Sequence, residues 1–268
     1  MTEQFPTSIG TSDRDSITLL GHDLAHDLLG KVGFGELAFW LVAMRRPTAG
    51  ELRLFEAVLV ALADHGLTPT AISARLTLAS APESVQGAMA AGLLGGGSRF
   101  LGVTEDAGRF LADALAAYDG KAPETDGEWD DVARSAVQRR RSEGGYVPGL
   151  GHPVHKDGDP RTPVLIGIAD DEGVRGSHLR LFEAIGRVHP EILGRTLPLN
   201  GAGVCGAALC DLGFPPTVLR GFALLARAAG VLGHIAEEMR RPIGLDIYER
   251  VDRAIDYRTP DPPTSDVG

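Results

Sequence analysis

The sequence predicts an all-α fold. Apolar residues recur at three- and four-residue spacing along most of the chain. No run alternates apolar and polar residues like a half-buried strand, and no glycine-rich strand-turn-helix is present. With 268 residues, 43% hydrophobic and 23% charged, the chain can build a large core in one unit or two closely packed subdomains.

The elements follow in order. Residues 1–15 are polar and read as loose, and 17–44 read as short helices broken by Gly30, Gly33 and Gly35. His22 and His26 stand at i, i+4 with Asp23 and Asp27 beside them. That spacing can ligate a metal but lacks a third ligand nearby, and a solvated polar face is the competing reading. Pro47-Thr48-Ala49-Gly50-Glu51 opens a strong helix with Leu52, Phe55, Val58, Leu59 and Leu62 on one stripe, and Gly66 is its stop. Helical patterns continue from Thr70 and over 83–94, and Gly95-Gly96-Gly97 breaks them. Thr104-Glu105-Asp106 is expected to cap the next helix. Residues 130–141 read as a basic-ended helix, 164–169 as apolar and 177–189 as amphipathic. A small-residue helix runs through Leu212, and a long one over 217–239 ends at Arg240-Arg241-Pro242. The tail beyond Tyr257 is rich in Pro and Asp and reads as mobile.

A net charge of −10 without a basic stripe argues against nucleic acid, so an anionic ligand would need a local cluster of cations. No apolar leader and no run of membrane-spanning length is apparent, which gives the expectation of a cytoplasmic protein with no membrane partner. Cys205 and Cys210 lie in a Gly/Ala-rich apolar segment and read as buried thiols.

The chemistry gathers in residues 147–161, Val-Pro-Gly-Leu-Gly-His-Pro-Val-His-Lys-Asp-Gly-Asp-Pro-Arg. This stretch joins a flexible turn at Gly149 and Gly151 to the proton-transfer groups His152 and His155, to Lys156, and to the forked clamp of Arg161. Elsewhere Arg227 interrupts a helix too apolar to lie on the surface, so it must meet an acid or a ligand anion. A structural ion pair remains the plain alternative for Arg227, as does a helix-end residue without function for His65.

With these residues in hand, the chain resembles the citrate synthase superfamily, and within it the citryl-CoA lyase branch and the lyase part of ATP-citrate lyase. The likeness runs from about Glu51 to Pro242. Gly149 to Arg161 looks like the family's Gly-x-Gly-His-x-Val-x-Lys followed by Asp-Pro-Arg. Ala63-Asp64-His65, the helix around Arg227, Gly213-Phe214-Pro215 and Arg241-Pro242 look like its other marked segments. Gly95-Gly96-Gly97-Ser98-Arg99-Phe100 stands where condensing enzymes carry an enolate-stabilising histidine, and its Gly-x-Arg-Phe form is similar to the cleavage branch.

The resemblance implies a helical large domain formed by 1–97 and 223–268 and a small one formed by 98–222, in a homodimer. It implies that His65, His152, Arg161 and Arg227 surround a dicarboxylate such as oxaloacetate, with Arg241 reaching the neighbouring subunit's site. It also implies that Pro148, Gly149, Leu150 and Gly151 meet coenzyme A through backbone groups, with Lys156 a candidate for its phosphates. His152, His65 and His155 would carry the catalysis, with no metal or redox cofactor and the coenzyme A thioester as substrate. The implied work is reversible carbon–carbon cleavage of a citryl-CoA-type thioester to an acyl-CoA and a 2-oxo acid. The alternatives are the condensing direction, or binding without turnover.

One departure bears on this. Counting back from Leu212-Gly213, the position of the family's catalytic aspartate is Ala202. Alanine neither accepts nor donates a proton. His155 and Ser98 are the candidate substitutes.

Overall fold

A computed structural model describes residues 4–260. Among them the helices are α1 Phe34–Ala43, α2 Ala49–Ala63, α3 Pro69–Ser80, α4 Val85–Leu94, α5 Val103–Ala116, α6 Asp126–Ser142, α7 Arg161–Asp171, α8 Ser177–Leu193, α9 Gly201–Asp211, α10 Leu219–Arg240 and α11 Gly244–Asp252. Of the described residues, those up to Asp64 join Gly96–Arg227 in one compact unit, and His65–Gly95 join those from Ala228 onward in another. The units divide at 64/65, 95/96 and 227/228. The first 64 residues group with the middle of the chain instead of its end.

The first unit opens with strands where a loose segment and short helices were expected. β1 Gly10–Ser12, β2 Ile17–Leu19 and β3 His22–Asp23 form an antiparallel meander with Thr11 opposite Thr18 and Leu19 opposite His22. The reason is local. Leu20 and Gly21 both take positive φ (51° and 80°), the backbone of a two-residue hairpin turn, and Ile17-Thr18 favour the pleat. His22 therefore sits in a strand and His26 in a single π-helical turn, Leu24–Leu28, so the expected i, i+4 helical pair does not exist. His26 turns its Nδ1 to Asp23 Oδ1 at 3.0 Å.

In this unit α2 starts with a capping box, in which Thr48 Oγ1 accepts from Glu51 N–H and Glu51 accepts from Thr48 N–H. The expected Thr104 cap is corrected. Gly102 holds the cap position, and Thr104 is buried in the first turn with no hydrogen-bond partner for its hydroxyl. Phe39, Phe55, Phe214 and Phe222 pack ring on ring with centroids 4.5–5.8 Å apart, tying α1, α2 and the start of α10 together. Leu179, Leu181, Phe182 and Ile185 of α8 and nearly all of α9 are buried in the same core. Both cysteines are free and buried there, and burial pushes each thiol up to about 12.

The second unit packs Ala74, Leu78, Ala88, Val231 and Ile235 around α3, α4 and the end of α10. Arg75, fully buried, donates to Glu238 at 3.1 Å and pairs with Glu237. Glu238 also accepts from the N–H groups of Ile243 and Gly244 (3.0 and 2.7 Å), which starts α11 after the Arg240-Arg241-Pro242 break. That helix was not expected, although Leu245, Tyr248 and Val251 mark its period. The tail expectation falls largely outside the described residues.

The span Pro216–Arg240 is long and apolar enough to cross a membrane by length and composition, which corrects the expectation that no such run exists. Its Leu219, Phe222, Ala223, Val231 and Ile235 are buried core positions.

Candidate active site

The site is built on a short antiparallel pairing in the first unit. Gly151 N–H donates to Pro198 O at 2.8 Å, and Asn200 N–H donates to Gly149 O at 2.9 Å, with Leu150 and Leu199 facing each other as a bridge. The Asn200 amide adds a bond from Nδ2 to Gly151 O at 2.8 Å while its Oδ1 caps α9 through Gly203 N–H. Gly149 and Gly151 hold φ of 87° and 82°, so the turn needs glycine at both places. Gly149 has a second reason for its identity. A Cβ there would come 2.6 Å from the Phe182 ring, so this glycine serves loop packing and not only ligand approach.

This pairing delivers His152. Its Nδ1 accepts from the N–H groups of Val154 (3.1 Å) and His155 (3.0 Å). Two donors on Nδ1 place the neutral ring's proton on Nε2, which makes that nitrogen a donor. The His155 ring lies against it with centroids 4.4 Å apart. Both rings are half-buried, while Pro153, Val154 and Lys156 are exposed.

Arg161 begins α7. It grips Asp159 through Nε to Oδ1 (3.0 Å) and Nη2 to Oδ2 (2.7 Å), and Nη1 donates to Ala61 O at 3.1 Å. Two of its five N–H groups are left for a ligand. Asp159 has a fully buried side chain and also accepts from the backbone N–H of Gly201 (2.7 Å) and of Arg161 (3.1 Å). Burial alone would raise its pKa. The Arg161 bonds and the two amides outweigh that and hold the carboxyl below its ordinary range. Sequence reasoning quoted Asp159 only as part of a motif, yet it joins the Arg161 turn to the start of α9. Being fully used as an acceptor, it does not replace the acid missing at Ala202, two residues from that Asn200 cap.

Arg227, on α10, is 5% exposed. Its Nη1 stands 3.7 Å from Asp64 Oδ1, beyond hydrogen-bond reach, and neither Nε nor Nη1 has a hydrogen-bond partner. Burial lowers its pKa, Asp64 opposes that, and the charge of Arg161 lowers it further. Two guanidiniums that repel each other, one with buried unsatisfied donors, form a place for an anion.

His65 and Arg241 belong to the second unit. His65 is half-buried in the connection between α2 and α3, directly after Asp64. Arg241 is exposed in the turn between α10 and α11, where its N–H donates to Glu237 O at 2.7 Å. Ser98 is exposed beside Arg220, its Oγ 3.5 Å from Nη2, and Arg220 is in turn paired with Glu105.

Residues 5–247 match the family model described as citrate synthase, C-terminal domain. The solved structure of citryl-CoA lyase from Hydrogenobacter thermophilus is 29% identical, covers 97% of this chain and 96% of its own, and superposes with a TM-score of 0.83. A probable ATP-citrate synthase of Dictyostelium discoideum is 24% identical over 92% of this chain and 41% of its own length. A citrate synthase of Deinococcus radiodurans is 27% identical over 88% of this chain and 59% of its own length. The chain thus spans only part of these two curated relatives.

Proposed function

Because the chain belongs to the citrate synthase family, we propose that it binds a citryl-CoA-type thioester and cleaves it to an acyl-CoA and a 2-oxo acid such as oxaloacetate. The observation that carries this reading is Arg227, a buried guanidinium with two unsatisfied donors facing the charge of Arg161. A dicarboxylate satisfies both cations at once. The 29% identity and near-complete mutual coverage with a citryl-CoA lyase support cleavage over condensation.

In the proposed reaction a base takes the proton of the tertiary hydroxyl and the C–O bond becomes a carbonyl. The bond to the thioester's methylene carbon breaks. Its electron pair forms the thioester enolate, which takes a proton and leaves as the acyl-CoA. His152, a donor at Nε2, stabilises the reacting oxygen. With Nδ1 occupied and Nε2 protonated it is not the base, and that role falls to His155, the ring stacked on it. Gly149 to Gly151 present backbone to coenzyme A. The protein works as a homodimer in which Arg241 reaches the neighbouring site.

A second reading, binding without turnover, is favoured by Ala202 together with the locked Asp159. Incubation with citryl-CoA separates the two. Release of acetyl-CoA and oxaloacetate in equal amounts is expected. Tight binding with no release would leave only the second reading, and no binding would end both.

A further inference from the structure

We infer that His189, a buried histidine outside the proposed chemistry, is a positioning residue that sets the register of the loop carrying His152. The positioning stands on geometry alone, and only its consequence for catalysis rests on the proposed function.

Three residues on one face of α8, Phe182, Gly186 and His189, lie at i, i+4 and i+7, where a helix repeats its face. Each meets the backbone frame of the site. The Phe182 ring fills the space beside Gly149 and Gly203, where a Cβ would come within 2.6 and 2.7 Å. Gly186 leaves room for Leu199, since a Cβ there would stand 2.8 Å from Leu199 Cδ1. His189, 1% exposed, donates from Nδ1 to Ile185 O at 2.9 Å and accepts at Nε2 from Leu197 N–H at 2.9 Å.

The segment from Leu197 to Asn200 is therefore seated on α8. It then offers Pro198 O and Asn200 N–H to the Gly149–Gly151 turn, and Leu199 O to the Thr162 hydroxyl beside Arg161 at 3.1 Å. A pairing this short has little register information of its own. The bond to His189 supplies it at one end, as Asn200 does at the other. Shifting Leu197 by one residue would carry Pro198 O away from Gly151 N–H and turn His152 out of place.

The test compares His189→Phe, His189→Gln and Gly186→Ala by amide hydrogen exchange of the intact protein. Glutamine places an oxygen near the position of Nε2 and keeps the acceptor for Leu197, while phenylalanine keeps the ring and removes it. In His189→Phe the Gly151, Leu197 and Asn200 amides should exchange at least roughly tenfold faster while the core of α8 stays protected, and His189→Gln should restore protection. If His189→Phe does not fold, Gly186→Ala probes the same seat by displacing Leu199, and it should loosen the same amides. Unchanged exchange in a folded His189→Phe, or no recovery in His189→Gln, would overturn the inference. The exchange result needs no substrate, so failure of the lyase reading would leave it standing. Where citryl-CoA is cleaved, His189→Phe should lose kcat, because His152 is turned out of place, and His189→Gln should recover it.

Discussion

At the scale of single residues, Arg227 separates a structural role from a ligand role. If it exists for Asp64, replacing it should cost stability, as breaking a buried pair does. The structure gives the opposite expectation, because the pair is long at 3.7 Å, Asp64 is 45% exposed, and two guanidinium donors are buried without partners. Arg227→Met should therefore raise folding stability by about 1 kcal/mol or more, since a hydrophobic replacement removes an uncompensated desolvation. The same change should weaken oxaloacetate binding by roughly 2 kcal/mol or more, about 30-fold in Kd. Urea melts and calorimetric titration read the two quantities, and a variant that unfolds more easily yet binds unchanged would make Arg227 a structural ion pair. The sequence showed that this arginine was out of place on an apolar helix. It could not show that the Ala61 carbonyl, 100 residues earlier, would take a further N–H of Arg161 beyond those that Asp159 holds.

At the scale of elements, helices were legible where the apolar stripe and the cap agreed, as in α2 with Thr48 and Glu51. They were misread where a cap-like triplet lay inside a helix, as at Thr104, or where a leucine took the positive φ of a hairpin turn, as at Leu20. No sequence pattern marks a leucine for that backbone, which is why β2 and β3 read as broken helices and β1 as a loose segment. The seat of Leu197–Asn200 on α8 was hidden for a different reason, being a contact between distant segments with no periodic trace. The start of α2 also gives a pH test. Arg45 holds the Glu51 carboxyl down to about 2, with hydrogen bonds from Thr48 assisting against burial. A folded-state pKa below the ordinary 4.5 means stability that is complete above that value and lost as pH falls towards 2. Glu51→Gln should therefore be less stable than the parent at pH 7, and the gap should close between about pH 4.5 and 2. Denaturant midpoints measured across that range check it, and a gap independent of pH would mean that the carboxylate charge contributes nothing there.

At the scale of the whole molecule, the proposed function assigns Arg241 to the neighbouring subunit's site. That residue is exposed, and the turn holding it is fixed by Glu238, which caps α11, and by Arg75, which holds Glu238. So much support for one exposed turn suits an arginine that works outside its own chain. The exposed Leu245, Tyr248 and Val251 of α11 follow that turn, apolar surface that the proposed homodimer would cover. Complementation between defective chains tests the arrangement directly. His152→Ala and Arg241→Ala should each be inactive alone. In a two-fold dimer with Arg241 donated across the interface, a mixed dimer has one site with neither defect and one site with both. Random exchange of equal amounts makes about half the dimers mixed, so about a quarter of all sites should be intact. Mixing after mild dissociation should therefore recover about a quarter of the parent's citryl-CoA cleavage. If Arg241 serves its own chain, every site in every dimer carries one defect and mixing recovers nothing.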